Sequence, residues 1–494
     1  MRPGTDGGGR PGEPDVADDA AEPVADRIGD QAVPGGRLEE LLRHRRIHRR
    51  EVASTHPLRT PGQLVTLAFL AMIGAGTLLL MLPISTSGPG GAPVRTALFT
   101  ATSAACVTGL TTVDTATYWS GFGEAVLLVL VQLGGLGVMT FASLLGLLVS
   151  GRLGLRSRLL AQAETRTLDL GTVRRVVVGL VKISATIQSV VFVALTLRLW
   201  LGYDNSLRHA AYLGLFHAVS AYNNAGFSLW SDSLVGFSTD PWIILPIAGA
   251  VILGGIGYPV LLELRASRRW RRWSLHTKLT LVTTGALLVL GPLFIWLTEH
   301  PHRTVGQHGL AGELLAAGFG GVTARSAGFA TFDYAAAQPA TLLASVMLMF
   351  VGGGAASTAG GIKVTTLAVL TLAVAAEVRG DKDITAFKRR ISPATGRQAL
   401  AVAMIAVATL TTATLVLLEV SAFTFDQALF EVTSAVTTTG LSTGITPSVP
   451  PAGQYLLIAL MVLGRLGPVS VASSLALRQR FRAYRYPEAR PVVG

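Results

Sequence analysis

Apolar residues run almost unbroken over 62–84, 121–149, 175–201, 241–264, 278–298, 398–420 and 452–477, with a longer run over 336–379. Each is long enough to cross the hydrocarbon core of a bilayer, which takes about 20 helical residues. Inside each successive pair lies a shorter apolar piece: 92–106, 208–222, 310–323 and 425–437. These are too short to cross. The order span, half-span, span therefore recurs, which predicts an all-α polytopic membrane protein of four span–pore-helix–span repeats. That is eight transmembrane helices and four re-entrant half-helices around a pseudo-fourfold pore. The repeats occupy 61–150, 174–265, 276–380 and 397–480. Residues 1–60 form an N-terminal tail, largely disordered by composition, and 481–494 a C-terminal one.

A short glycine stretch follows every half-span: Val107-Thr-Gly-Leu110, Asn224-Ala-Gly-Phe227, Ser326-Ala-Gly-Phe329 and Thr438-Thr-Gly-Leu441. One glycine after a small residue marks only a turn. Four at near-equal steps mark a repeat. A second mark follows each about 25 residues later: Gly134-Gly-Leu-Gly, Gly254-Gly-Ile-Gly, Gly352-Gly-Gly and Gly464-Arg-Leu-Gly-Pro468.

The run over 336–379 would make one helix of roughly 66 Å, twice the ~30 Å core. It must break, and Gly352-Gly-Gly-Ala-Ala-Ser-Thr-Ala-Gly-Gly361 is the place. Each glycine disfavours helix by about 1 kcal/mol relative to alanine. The segment reads as an intramembrane loop comprising Gly352, Gly353, Gly354, Ser357, Thr358, Gly360 and Gly361; tight helix packing by small residues is the alternative.

Composition agrees with a membrane solvent: 50% hydrophobic, 14% charged, mean hydropathy +0.51. The net charge of +12 would suit nucleic acid, but its placement gives it another purpose. Arginine and lysine crowd five segments: Arg43–Arg50, Arg152–Arg175, Arg265–Lys278, Arg379–Arg397 and Arg478–Arg490. The alternate connections hold only Arg95, Arg208, Arg303 and Arg325. The positive-inside bias then places both termini in the cytoplasm and the half-helices toward the outer face of the cell membrane. Acids collect on that outer side, at Asp114, Asp204, Asp232, Asp240, Glu299, Glu313, Asp333, Asp426 and Glu431, where they could concentrate cations. Cys106 is the single cysteine, so no intrachain disulfide forms.

A half-helix that stops inside the membrane leaves its last carbonyls unpaired, with the negative end of its dipole beside them. Four such ends on one axis suit a desolvated cation, and glycine lets the backbone turn its carbonyls inward. At these residues the sequence resembles the Trk/Ktr/HKT superfamily of cation transporters, and within it the shorter Ktr type. The matching patterns are Ala105-Cys-Val-Thr-Gly-Leu110, Tyr222-Asn-Asn-Ala-Gly-Phe227, Thr323-Ala-Arg-Ser-Ala-Gly-Phe329 and Thr437-Thr-Thr-Gly-Leu-Ser442, with Gly360-Gly-Ile-Lys363 and Gly464-Arg-Leu-Gly-Pro468.

The resemblance implies K⁺ uptake through a filter with one glycine per repeat. Its members here are Val107, Thr108, Gly109, Asn224, Ala225, Gly226, Ser326, Ala327, Gly328, Thr438, Thr439 and Gly440. It also implies a gating loop at 352–361, a homodimer, and a cytoplasmic ring of RCK-type, KtrA-like nucleotide-binding subunits. Glycine at position 109 favours K⁺ over Na⁺. The transported K⁺ is the only metal expected, at the filter residues. Na⁺ coupling, and channel against symporter kinetics, stay open.

Arg465 lies within an apolar span, where an ionised group is costly and faces a pore or a partner. It reads either as a gating charge near the glycine loop or as half of a salt bridge, with Glu419 one candidate. Lys363 directly follows the loop and joins the gating set. Lys182 and Arg198 sit near the ends of one span and could snorkel. His217 reads as a packing or hydrogen-bonding residue. No phosphate loop, nucleophile elbow or metal-ligand spacing marks an enzyme. The rival reading is a secondary transporter of another cation or small solute with a broken-helix site, a class that normally shows inverted halves.

Overall fold

The computed structural model describes residues 61–150, 170–302 and 309–477; both tails and the basic segments at 43–50, 152–169 and 478–490 lie outside them. The helices follow in chain order: α1 Pro61–Leu80, α2 Val94–Ala105, α3 Gly121–Ser150, α4 Leu170–Gly202, α5 Leu207–Asn223, α6 Pro241–Ile256 and α7 Tyr258–Ala266. Then come α8 Leu275–Glu299, α9 Gly309–Thr323, α10 Pro339–Phe350, α11 Val364–Arg379, α12 Pro393–Val420, α13 Phe425–Val436 and α14 Pro451–Leu477. The strands among the described residues are a two-residue antiparallel pair, Thr385–Ala386 with Arg389–Arg390. The chain is an all-α polytopic membrane protein.

The helix starts follow from their caps. Ser206, Ser274 and Ser392 each accept a backbone N–H three residues on, and Thr424 forms a capping box with Gln427. The short helices α2, α5 and α13 are the most buried, and their residues, with those of α9, run through the main apolar clusters. By contrast α4, α8 and α12 are each long and apolar enough to cross a membrane and leave most of that surface exposed. Apolar residues therefore face outward on these helices, as lipid contact requires, while the half-helices occupy the centre.

Two breaks shape the interior. The first is the anticipated one: α10 stops at Phe350, α11 resumes at Val364, and the segment between is non-helical. Its neck is cinched by Gly352 N–H to the Ile362 carbonyl at 3.0 Å and Ile362 N–H to the Phe350 carbonyl at 3.1 Å. The second was not legible in the apolar run over 241–264, which reads as one span. Here α6 and α7 meet at 98°. Gly257 at the corner has φ +103, and a Cβ there would strike the Ala355 carbonyl. Pro259 follows within the first turn of α7, which cannot continue the α6 hydrogen-bond ladder. Beyond the corner, Glu263 accepts the Ser274 N–H at 2.6 Å, the Ser274 hydroxyl at 2.7 Å and the Thr277 hydroxyl, pinning α7 to the start of α8.

Hydrogen bonds to a charged acceptor contribute about 1.5–3 kcal/mol each. Glu263→Ala should therefore lower the detergent-solubilised melting temperature by several degrees, as thermal unfolding would record.

Candidate functional site

Three of the four half-helices end alike, and all four reach a glycine of positive φ. On leaving α2 the chain turns at Val107 (φ +57) and again at Gly109 (φ +96). Asn224 (φ +59) and Gly226 (φ +69) repeat this after α5, and Thr438 (φ +49) and Gly440 (φ +94) after α13. Thr108, Ala225 and Thr439 donate their N–H groups to the carbonyls of Ser103, Ser220 and Ser434 at 2.8–2.9 Å. The side chains of Ser103 and Ser434 take the N–H of Gly109 and Gly440, both at 3.0 Å. The third repeat differs. Val322 replaces the serine, Ser326 has an ordinary φ, and Ala327 N–H returns to the Thr323 carbonyl at 2.9 Å. Even so, Gly328 has φ +77.

The glycines close a ring. A Cβ on Gly109 would strike the Ala225 carbonyl, and one on Gly226 would come within 2.8 Å of the Ala327 carbonyl. A Cβ on Gly328 would strike the Thr439 carbonyl, and one on Gly440 the Thr108 carbonyl. Each repeat therefore abuts the next and the fourth returns to the first. Along each stretch the flanking residues are buried and the glycine alone is half-exposed. Accessible surface thus reaches the backbone at these four points.

The second glycine marks now have a cause. A Cβ at Gly134, Gly254 or Gly464 would collide with the carbonyl of Ala105, Tyr222 or Val436, the residue four before each ring glycine. Only a residue without a side chain lets the second span touch the half-helix end. In the third repeat Gly352 instead abuts Gly360 of its own loop.

That loop packs directly against the ring. Thr358 accepts the Asn224 side-chain N–H at 2.6 Å, and Gly360 donates its N–H to Ser326 Oγ at 3.0 Å. Thr358 and Gly354 donate their N–H groups to the Gly254 and Gly255 carbonyls at 3.2 and 2.8 Å. Gly352, Gly353, Gly354, Ser357, Thr358 and Gly360 are buried, with Gly361 half-buried.

Three cations surround this loop. Arg465 donates to the Thr358 carbonyl and to the Gly134 carbonyl, the latter at 3.2 Å. Lys363 donates to the Ala359 carbonyl at 2.7 Å. Glu419 is exposed, so the salt-bridge alternative for Arg465 fails; its partners are main-chain oxygens. The third cation, Arg325, belongs on sequence to an outer connection. It is instead buried, donating to the Gly352 carbonyl at 3.2 Å. Its place directly before Ser326-Ala-Gly was the available signal.

The acids divide. Asp114, Asp204, Asp232, Asp333 and Asp426 are exposed and Glu313 is half-buried. Asp240, Glu299 and Glu431 are buried and satisfy internal donors, so they add nothing to an open vestibule. Asp240 takes Arg198 Nε and the Tyr203 hydroxyl, both at 2.8 Å, so the head group of Arg198 is held in an ion pair near the end of its span. Glu299 accepts the Gln338 N–H at 2.9 Å. Lys182 is exposed.

Residues 38–481 match the family model described as TrkH, cation transport protein. The chain is 39% identical to the Ktr system potassium uptake protein B of Bacillus subtilis over 88% of this chain and 97% of that protein. It is 36% identical to the protein of the same description from Vibrio alginolyticus, over 87% and 94% of the two chains. The potassium/sodium uptake protein NtpJ of Enterococcus hirae is 32% identical over 88% and 97%. The fold is similar to that of the crystal structure of the potassium transporter TrkH from Vibrio parahaemolyticus, with TM-score 0.64 and 20% identity over 86% of both chains. The chain belongs to the TrkH family of cation transport proteins.

Proposed function

We propose that this chain is the potassium-translocating membrane subunit of a Ktr-type uptake system, with both termini in the cytoplasm. The observation that carries the reading is the closed glycine ring, in which main-chain carbonyls of four half-helix ends meet around the half-exposed glycines. Val107, Thr108, Gly109, Asn224, Ala225, Gly226, Ser326, Ala327, Gly328, Thr438, Thr439 and Gly440 form the filter. Their backbone oxygens replace the hydration shell of K⁺, and the dipoles of α2, α5, α9 and α13 favour the cation there. The exposed outer aspartates raise the local cation concentration.

The loop comprising Gly352, Gly353, Gly354, Ser357, Thr358, Gly360 and Gly361, with Lys363 and Arg465, is the gate. It lies against the filter at Asn224 and Ser326, and its hydrogen bonds are the ones that opening must break. The likeness to proteins described as belonging to Ktr systems supports control by a cytoplasmic RCK-type ring acting on a homodimer. The shared likeness to the potassium uptake proteins of Bacillus subtilis and Vibrio alginolyticus supports the choice of ion.

Purified chain in proteoliposomes should take up radiolabelled Rb⁺, with K⁺ competing and organic solutes not. It should also restore growth of a K⁺-uptake-deficient host at low K⁺. Uptake of an organic solute with no Rb⁺ entry would overturn the assignment.

A further inference from the structure

The residue nine before each ring glycine and the residue two after it form a pair that differs among the repeats. The pairs are Thr100 with Thr111, His217 with Ser228, Phe319 with Ala330, and Glu431 with Ser442. In the second repeat His217 donates from Nδ1 to the Leu213 carbonyl at 2.8 Å. Its Nε2 is then an acceptor, and it takes the Ser228 hydroxyl at 3.1 Å and faces the Leu229 N–H at 3.4 Å. In the fourth repeat Glu431 accepts the Ser442 hydroxyl at 2.9 Å and the Thr446 hydroxyl. Ser442 Oγ in turn takes the Gly444 N–H at 3.0 Å. His217 and Glu431 are fully buried and Ser228 nearly so, while Ser442 is half-buried; His217 is further held by the Trp230 ring stacked on it at 3.8 Å. At this pair of positions the other two repeats have no link: Thr100 Oγ1 has no hydrogen-bond partner, and Phe319 and Ala330 carry no polar side-chain atom; the third repeat is tied one residue further on, by the Thr331 hydroxyl donating to the Ala316 carbonyl at 3.0 Å.

We propose that His217 and Glu431 are positioning residues that set ion selectivity, each clamping the chain just past its glycine to the half-helix behind it. They stand in alternate repeats of the closed cycle, so they brace the ring from opposite sides. The chain around a ring glycine is free to swing unless something holds both of its ends. The half-helix holds the first end; in repeats 2 and 4 the brace holds the second. A buried acceptor stripped of its donor, or a donor of its acceptor, cannot turn to water for compensation. The loosened exit strand then lets the Gly226 and Gly440 carbonyls move, and a ring of movable carbonyls accommodates the smaller Na⁺ as readily as K⁺.

This inference rests on the ring being the ion's path, which Rb⁺ uptake by the unaltered chain checks separately. The test compares Rb⁺ and Na⁺ uptake in proteoliposomes for Glu431→Gln, Glu431→Leu, His217→Gln and His217→Leu. Ser228→Ala and Ser442→Ala remove only the outer partner and spare the half-helix core. Each leucine and alanine variant should lower the Rb⁺/Na⁺ ratio roughly fivefold, the scale of one buried hydrogen bond, with Rb⁺ entry retained. Glutamine keeps an acceptor oxygen and should restore most of the ratio. Phe319→Leu, at the unbraced position, should lower thermal stability without moving the ratio. Leucine and alanine variants that lose stability but keep the wild-type ratio would overturn the proposal, as would glutamine variants no better than leucine.

Discussion

Gly440→Ala should abolish selective Rb⁺ uptake, with a fall of about 100-fold in proteoliposome flux. Two costs combine. At φ +94 the backbone lies beyond the small left-handed region that L-residues can enter, and left-handed geometry costs such residues about 1–2 kcal/mol. The added methyl also collides with the Thr108 carbonyl of the first repeat, and overpacking a close-packed site costs about 1–3 kcal/mol. Together they amount to about 3 kcal/mol at the ring, and each 1.4 kcal/mol is a factor of ten. In the proposed filter the contact is with a carbonyl that faces the ion, so the site relieves the clash by moving that oxygen, and the damage falls on coordination. Gly380→Ala is the matched control. It shares the positive φ (+72), yet open space surrounds it, so it should cost stability and leave uptake intact. Equal transport losses in the two variants would mean that strain alone, and not the ring, limits flux.

How much of this was legible in the chain follows from what a sequence records. Repetition is linear, so the four ring glycines and their second marks could be found by position alone. The contact of Gly134, Gly254 and Gly464 with half-helix carbonyls explains why both marks recur at nearly constant distance. Length is linear too, which made the break after Phe350 unavoidable. Depth is not. Arg325 sits in a connection by count, yet its guanidinium reaches a loop carbonyl at Gly352. Asp240, Glu299 and Glu431 follow the same outer segments as the exposed acids, and only their partners separate them. Hydropathy sees no difference between a carboxylate facing water and one holding two hydroxyls. The corner at Gly257 escaped for a related reason, since one glycine in an apolar run bends the chain only when something fills the bend. Here the Ala356 carbonyl does, accepting the Tyr258 N–H at 3.1 Å.

Arg465→Gln should raise Rb⁺ uptake at least tenfold in proteoliposomes that lack any regulatory partner. The guanidinium joins three repeats: it is carried by α14 of the fourth, and it holds the Thr358 carbonyl of the third and the Gly134 carbonyl of the first. Thr358 also carries the contact to Asn224 beside the second ring glycine. One side chain therefore fastens the loop to its neighbours and, in the gating proposed above, holds it closed while setting a positive charge in the cation's way. Losing one charge-assisted hydrogen bond costs the closed state about 1.5–3 kcal/mol, which shifts the open fraction by a factor of ten or more. Arg465→Lys separates the two effects, since lysine keeps the charge but cannot span both carbonyls with a planar fork. If charge is the barrier, the lysine variant stays as quiet as wild type; if the tether is the barrier, it leaks like glutamine. Deleting part of 353–360 should raise ungated flux by the same logic. Well-folded Arg465→Gln protein with unchanged uptake would remove Arg465 from the gate. The loop would then be closed by its remaining bonds, to Asn224, Ser326, Arg325 and the Gly254 and Gly255 carbonyls.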